Sequence, residues 1–121
     1  MDVSSQKQYI QRATNAKLDL SSTGVTTLYT APTGGDFDFA IVESMIANNA
    51  HSGQAQITVT LTDTSSNVFT LYNTYDMATD TTHELLSRSL LLTAGEILKV
   101  TASTANVVNV VASIVEYAKG D

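Results

Sequence analysis

The sequence predicts an all-β fold, an antiparallel β-sandwich of about eight strands behind an extended N-terminal arm. Three observations lead there. A chain of 121 residues fits one core better than two. Its 43% hydrophobic content suffices for that core, whereas only 15% is charged and the polarity is carried by Ser and Thr. From Lys17 onward, short runs rich in Val, Ile, Thr, Leu and Tyr alternate with Gly, Asn, Asp and Ser clusters, which is the pattern of strands and turns.

Residues 1–16 hold Val3, Tyr9 and Ile10 as their only sizeable apolar side chains, too few for a core-facing element, so they read as the arm. The domain proper is expected over 17–121. Its strands are expected at 17–21, 24–30, 37–47, 55–63, 67–73, 83–92, 96–103 and 107–117. Turns fall at Pro32 to Gly35, Asn48 to Gly53, Asp63 to Asn67 and Thr93 to Gly95. Ile57, Val59 and Leu61 alternate with Gln56, Thr58, Thr60 and Thr62, as a half-buried strand requires. By the same rule Phe37, Phe39 and Ile41 form an inward row against Asp36, Asp38 and Ala40. Thr81 to Glu84 has capping-box spacing, so a helical turn competes over 80–90. Strand signals on both sides favour a strand, and Leu90 to Val100 reads as a hairpin turning at Gly95.

The last strand breaks the alternation. Val108, Val110, Ala112 and Ile114 share one face, while Val107, Val111, Val115 and Tyr117 make the other apolar as well. A sandwich strand meets its own core with one face only. The second face must lie under a loop, under the arm or against another subunit, and the subunit contact is the reading taken forward for those four residues.

Charge narrows the partners. The net charge is −6, yet residues 1–35 set Lys7, Arg12 and Lys17 against two carboxylates for a net +1, and the remainder sets three cations against ten carboxylates for a net −7. Such a body repels a phosphate backbone, so nucleic acid is not an expected partner. The acidity serves solubility. The basic segment is either a solvated tail or an arm that docks on an acidic neighbour. No apolar stretch approaches the length that spans a bilayer, and Met1 to Gln6 shows no export signal, so no membrane partner is expected. With no Cys there is neither a disulfide framework nor a thiolate metal site.

The tests for chemistry are mostly negative. His83-Glu84 lacks a second His four residues on, where Ser87 stands, so the zincin pair fails. His51 sits in a polar turn. Asp36 and Asp38 share one side of a strand start but lack the further oxygen ligands of a calcium loop. Asp76, Asp80 and Glu84 are spaced to align only on a helix. No serine lies in a nucleophile elbow, and Gly34-Gly35 is a turn pair rather than a phosphate loop. Tyr29, Tyr72 and Tyr75 are either packing residues or a modest carbohydrate platform. No catalytic residue, cofactor or metal is expected.

The run Val25 to Pro32 followed by Ala40 to Asn49 resembles the opening hairpin of small tailed-phage virion proteins of the capsid decoration (cement) or head-fibre type. Leu90 to Ser103 resembles their hairpin of apolar strand, Ala-Gly-acid turn and apolar strand, and the similarity spans about residues 25–117. The resemblance implies a jelly-roll-like sandwich without catalytic function on the outside of a virion. Such proteins are usually homotrimers, and the partner implied is the major capsid protein. Arm residues Lys7, Tyr9, Ile10, Arg12 and Lys17 would then grip the shell. The rival expectation is a receptor- or glycan-binding knob using loops 48–54 and 74–82.

Overall fold

Strands run where an alternating segment finds a neighbour to ladder with and a turn at each end. The computed structural model describes residues 9–33 and 38–119. Nine strands follow one another: β1 (Tyr9–Asp19), β2 (Thr26–Thr30), β3 (Phe39–Asn49), β4 (Ala55–Thr62), β5 (Val68–Met77), β6 (Thr81–Glu84), β7 (Leu90–Thr93), β8 (Ile97–Ala102) and β9 (Val108–Lys119). Among the described residues there is no helix, the region 80–90 included.

The strands form two antiparallel sheets. Sheet A runs β1-β9-β3-β6, with β7 also on β3, and sheet B runs β2-β8-β4-β5. Successive strands change sheet at every step except β4 to β5 and β6 to β7. That interleaving is a jelly roll. Between the sheets lie Val42, Met45, Val110 and Ile114 from sheet A and Ile57, Val59, Leu98 and Val100 from sheet B, all essentially inaccessible. At roughly 25 cal/mol per Å² of apolar surface, this burial is the chief stabilising term.

Four expectations are corrected. The single strand at 83–92 is two, β6 and β7. Both pair with β3, β6 along Ile46–Asn49 and β7 along Phe39–Val42. Between them Leu85 turns into the core and its N–H donates to the Met45 carbonyl, where β3 itself bulges between Val42 and Ser44. Neither expected hairpin exists, because β7 and β8 belong to opposite sheets, as do β2 and β3. The β7–β8 corner turns at Gly95 with φ of 82°, and its N–H donates to the Ala31 carbonyl beyond β2. Alternation cannot tell a hairpin from such a corner, because both keep period two on each limb.

The third correction inverts a face. Ala40 and Val42 point into the core, while Phe39 and Ile41 point outward, and Phe37 lies outside the described residues. In β4 the expected row holds for Ile57 and Val59, but the β4–β5 ladder shifts register on both sides of Val59, and Thr62 rather than Leu61 takes the buried place that follows. The fourth concerns the arm. Residues 9–16 are strand, paired with β9 from Tyr9↔Lys119 to Asp19↔Asn109 along an edge of sheet A. An edge strand needs few apolar side chains of its own, which is why the segment looked too polar to be one.

One polar group joins the sheets beside β1. Glu116 of β9 faces inward and is 6% exposed. Its carboxylate accepts two hydrogen bonds from the Arg12 guanidinium, the Nε one at 2.8 Å, and a third from the Tyr29 hydroxyl of β2. Burial, the hydrogen bond to Glu116 and the negative charge of that carboxylate push the Tyr29 phenol well above its ordinary value. Three strands and both sheets meet at this carboxylate.

Arg12→Ala leaves Glu116 buried with the Tyr29 hydroxyl in place of an ion pair, and should cost about 1–3 kcal/mol in urea unfolding. The phenol gives a pH signature. Its proton is held more tightly in the folded chain, so its contribution is complete below the ordinary tyrosine value near 10 and is lost as pH rises towards the higher folded value. Wild-type stability should therefore fall more steeply above pH 10 than that of Tyr29→Phe, measured by denaturant titration across that range.

Candidate interaction surfaces

The outer face of sheet A carries the residues that alternation left without a core. Strand register lays them out in rows across β1, β9, β3 and β7. One row reads Gln11, Tyr117, Phe39, Thr93; the next reads Ala13, Val115, Ile41, Leu91. Tyr117 stacks on Phe39 with ring centroids 4.9 Å apart and planes 11° from parallel. Further along, Lys17, Val111 and Ile46 form another row. Leu91 is 54% exposed and Ile46 and Val111 are each more than a third exposed, so apolar side chains reach the surface on β3, β7 and β9, with a polar row of Asn15, Ser113 and Ser44 between the two apolar groups.

Of the four interface residues expected from the sequence, Val111, Val115 and Tyr117 lie on this face. Val107 does not: it precedes β9 and is packed against the core. Phe39, Ile41, Ile46 and Leu91 lie on this face as well and were not singled out. The signal that finds them is register, since Phe39 and Ile41 become surface residues only once Ala40 and Val42 are known to face inward.

The arm residues separate. Tyr9, Ile10, Arg12 and Lys17 lie in β1, and Lys7 is outside the described residues. Arg12 is held by Glu116, whereas Lys17 is exposed beside Val111. Glu116 is the residue that sequence reasoning missed, because it interrupts an apolar strand in the way an outward polar residue would.

At one end of the sandwich, loops 48–54 and 74–82 are fastened together. Asn49 is fully buried, and its amide nitrogen lies 3.1 Å from each of the Gly53, Met77 and Ala78 carbonyls. Its side-chain oxygen accepts from the His51 N–H at 2.9 Å. Tyr72 and Tyr75 meet edge to face, and Tyr75 meets His83 in the same manner, but Tyr29 is on β2 and bound to Glu116. The three tyrosines therefore do not form one platform. Both His83 ring nitrogens lie near hydroxyls, Nδ1 3.3 Å from Tyr75 and Nε2 2.9 Å from Thr81. Asp76 accepts from Gln56 at 2.7 Å. Among the described residues no group of three or more His, Asp or Glu side chains is placed to hold a metal ion. No described helix is long and apolar enough to cross a membrane.

No protein-family model matches the sequence, and no curated protein matches it. Solved structures do match in fold. A chain from the acid-stable capsid of Helicobacter pylori bacteriophage KHP30 superposes with a TM-score of 0.52 at 14% identity, over 96% of this chain and 99% of that one. A chain of the T13 particle of infectious bursal disease virus gives 0.52 at 11% identity over 91% of this chain, and one from the Gx strain of that virus gives 0.52 at 10% over 95%. This chain spans only 31% and 33% of those two longer chains. At such identities the likeness is one of fold, and the fold shared is the capsid-type jelly roll.

Proposed function

We propose that this chain is a structural protein of a tailed-phage particle, a decoration protein that binds the outside of the assembled head as a homotrimer and performs no chemistry. The observation that carries the reading is a match of whole chains. The KHP30 capsid chain is covered almost end to end, so a single jelly roll of nearly this length occurs alone as a chain of a phage capsid. The exposed apolar rows of sheet A fit the same reading, since surface of that kind on a small domain marks a contact between proteins. In this reading Val111, Val115 and Tyr117 meet a neighbouring subunit of the particle, and the basic segment that includes Lys7 reaches for the major capsid protein.

The physical logic is mass action. A protein that binds only the assembled lattice lowers that state's free energy at every occupied site, and several modest contacts per oligomer add as avidity. Electron cryo-microscopy of intact particles carrying the chain tests the proposal: density is expected on the outer shell at junctions between capsomers. Density confined to a fibre tip would overturn it and favour a receptor- or glycan-binding knob, for which the Asn49-fastened loops 48–54 and 74–82 supply one composite surface.

Two variants check the surfaces. Removing residues 1–8 should lower head occupancy, and Val115→Glu, at the centre of the apolar rows, should weaken the subunit contact by about 2 kcal/mol or more. Occupancy equal to wild type in either case, measured by quantitative electrophoresis of purified particles, removes the corresponding surface from the proposal.

A further inference from the structure

β1 is a long strand that gives almost nothing to the core. Among residues 11–19 no side chain is buried, and only Ala16 and Leu18 are partly covered and packed against the core. Each of the other long strands, β3, β4, β5 and β9, buries at least one apolar side chain fully. Among the described residues β1 is laddered only to β9, at an edge of sheet A, so its departure would leave β9 laddered to β3 and the remaining strands of both sheets paired as before.

The two ends of β1 are held differently. Just past its C-terminal end Leu20 is 1% exposed; its N–H donates to the Val108 carbonyl at 2.9 Å and its carbonyl accepts from the Asn106 N–H at 2.8 Å. Beyond that anchor, Ser21 to Gly24 are exposed. Towards the N-terminal end Arg12 closes on the Glu116 carboxylate, which the Tyr29 hydroxyl reaches from β2. Glu116 and Tyr29 stand on strands that β3 and β8 hold, so their half of this cluster stays in place without β1.

Opening an edge ladder exchanges its hydrogen bonds for bonds to water and returns conformational freedom to the backbone, two effects of opposite sign. Whether a strand opens alone is therefore decided by the apolar burial it gives up, and segments with little of it open well below the free energy of global unfolding. Among residues 11–19 that burial is confined to Ala16 and Leu18, close to the anchor. Further out, the hold that opening must break is the charge-assisted bond of Arg12, and opening repays part of it by hydrating the Glu116 carboxylate.

We infer that β1 is a releasable strap, which peels from β9 from its N-terminal end, turns about the anchored Leu20 and is clasped shut by Arg12 on Glu116, while both sheets behind it stay folded. Peeled as far as Asp19, its eleven residues span about 35 Å of extended chain, which lets residues 1–8 meet a surface that far from the sandwich. In the head-binding reading that surface is the shell; the release itself does not rest on that reading.

Native-state hydrogen exchange of the full chain, followed amide by amide by NMR where exchange reports opening equilibria, tests the strap. The β1 amides that donate to β9 should exchange at least about a hundredfold faster than the amides of the β4–β8 ladder, and should respond little to sub-denaturing urea, to which the β4–β8 amides respond steeply. A shared rate with a shared urea response would overturn the inference. Arg12→Ala should speed the β1 amides at least about fivefold, and wild-type rates in that variant would remove the clasp. Ile57→Val trims a fully buried side chain of β4, so it should speed the β4–β8 amides and leave those of β1 unchanged. Equal acceleration of both sets would show that β1 opens only when the whole sandwich does, and would overturn the strap. All these readouts are made on the isolated chain, whereas cryo-microscopy of particles tests the head-binding role separately.

Discussion

The structure depends on the insertion of β9 between β1 and β3. The last described strand supplies the ladder for both neighbours, pairing with all eleven residues of β1 and with most of β3. Its inner face brings Val108, Val110, Ala112 and Ile114 into the core, and Glu116 into its bridge with Arg12 and Tyr29. Without β9, β1 has no described ladder partner and sheet A loses the member between its two long strands. The N-terminal strand is thus held by residues about a hundred positions away, so this ladder forms only after a long-range loop closure, the kind of contact that slows folding.

The same insertion makes the outer surface. β9 aligns Tyr117 with Phe39 and Val115 with Ile41, and β7 adds Leu91 beside Ile41. Each of these residues would be an isolated surface hydrophobe on its own strand, and only the ladder joins them into a patch. The inward row of β3 explains why the larger side chains are outside. Ala40 and Ala47 sit there with Val42 and Met45, so small residues fill part of the space opposite sheet B and the aromatic ring faces out.

Polar groups in the interior are few; two of them are held by several hydrogen bonds, whereas the buried Thr62 hydroxyl has no partner among the described residues. Asn49 fastens two loops at one end of the sandwich, and Glu116 fastens two sheets beside β1. Each is buried because its hydrogen-bonding capacity is met by groups the fold brings from distant parts of the chain. Asp63 shows the local counterpart: its carboxylate accepts from the Asn67 and Ser65 N–H groups within one turn, and the Asn67 bond leads in holding it below the usual carboxylate range.

Composition and period two by themselves determined the all-β class, most strand positions, the inward row of β9 and that of β4 as far as Val59, and the second apolar face on β9, because each follows from side-chain alternation along a single strand. They did not determine which limbs cross between sheets, which face of β3 is inward, that residues 9–16 form a strand, or that Glu116 is buried. Those features depend on which strands become neighbours. A corner and a hairpin have the same local pattern, a polar edge strand looks like an arm until its partner is known, and a carboxylate is buried at no great cost only where a guanidinium and a phenol from other strands meet it. Pairing between distant segments decided them, and alternation within a strand carries no record of its neighbours.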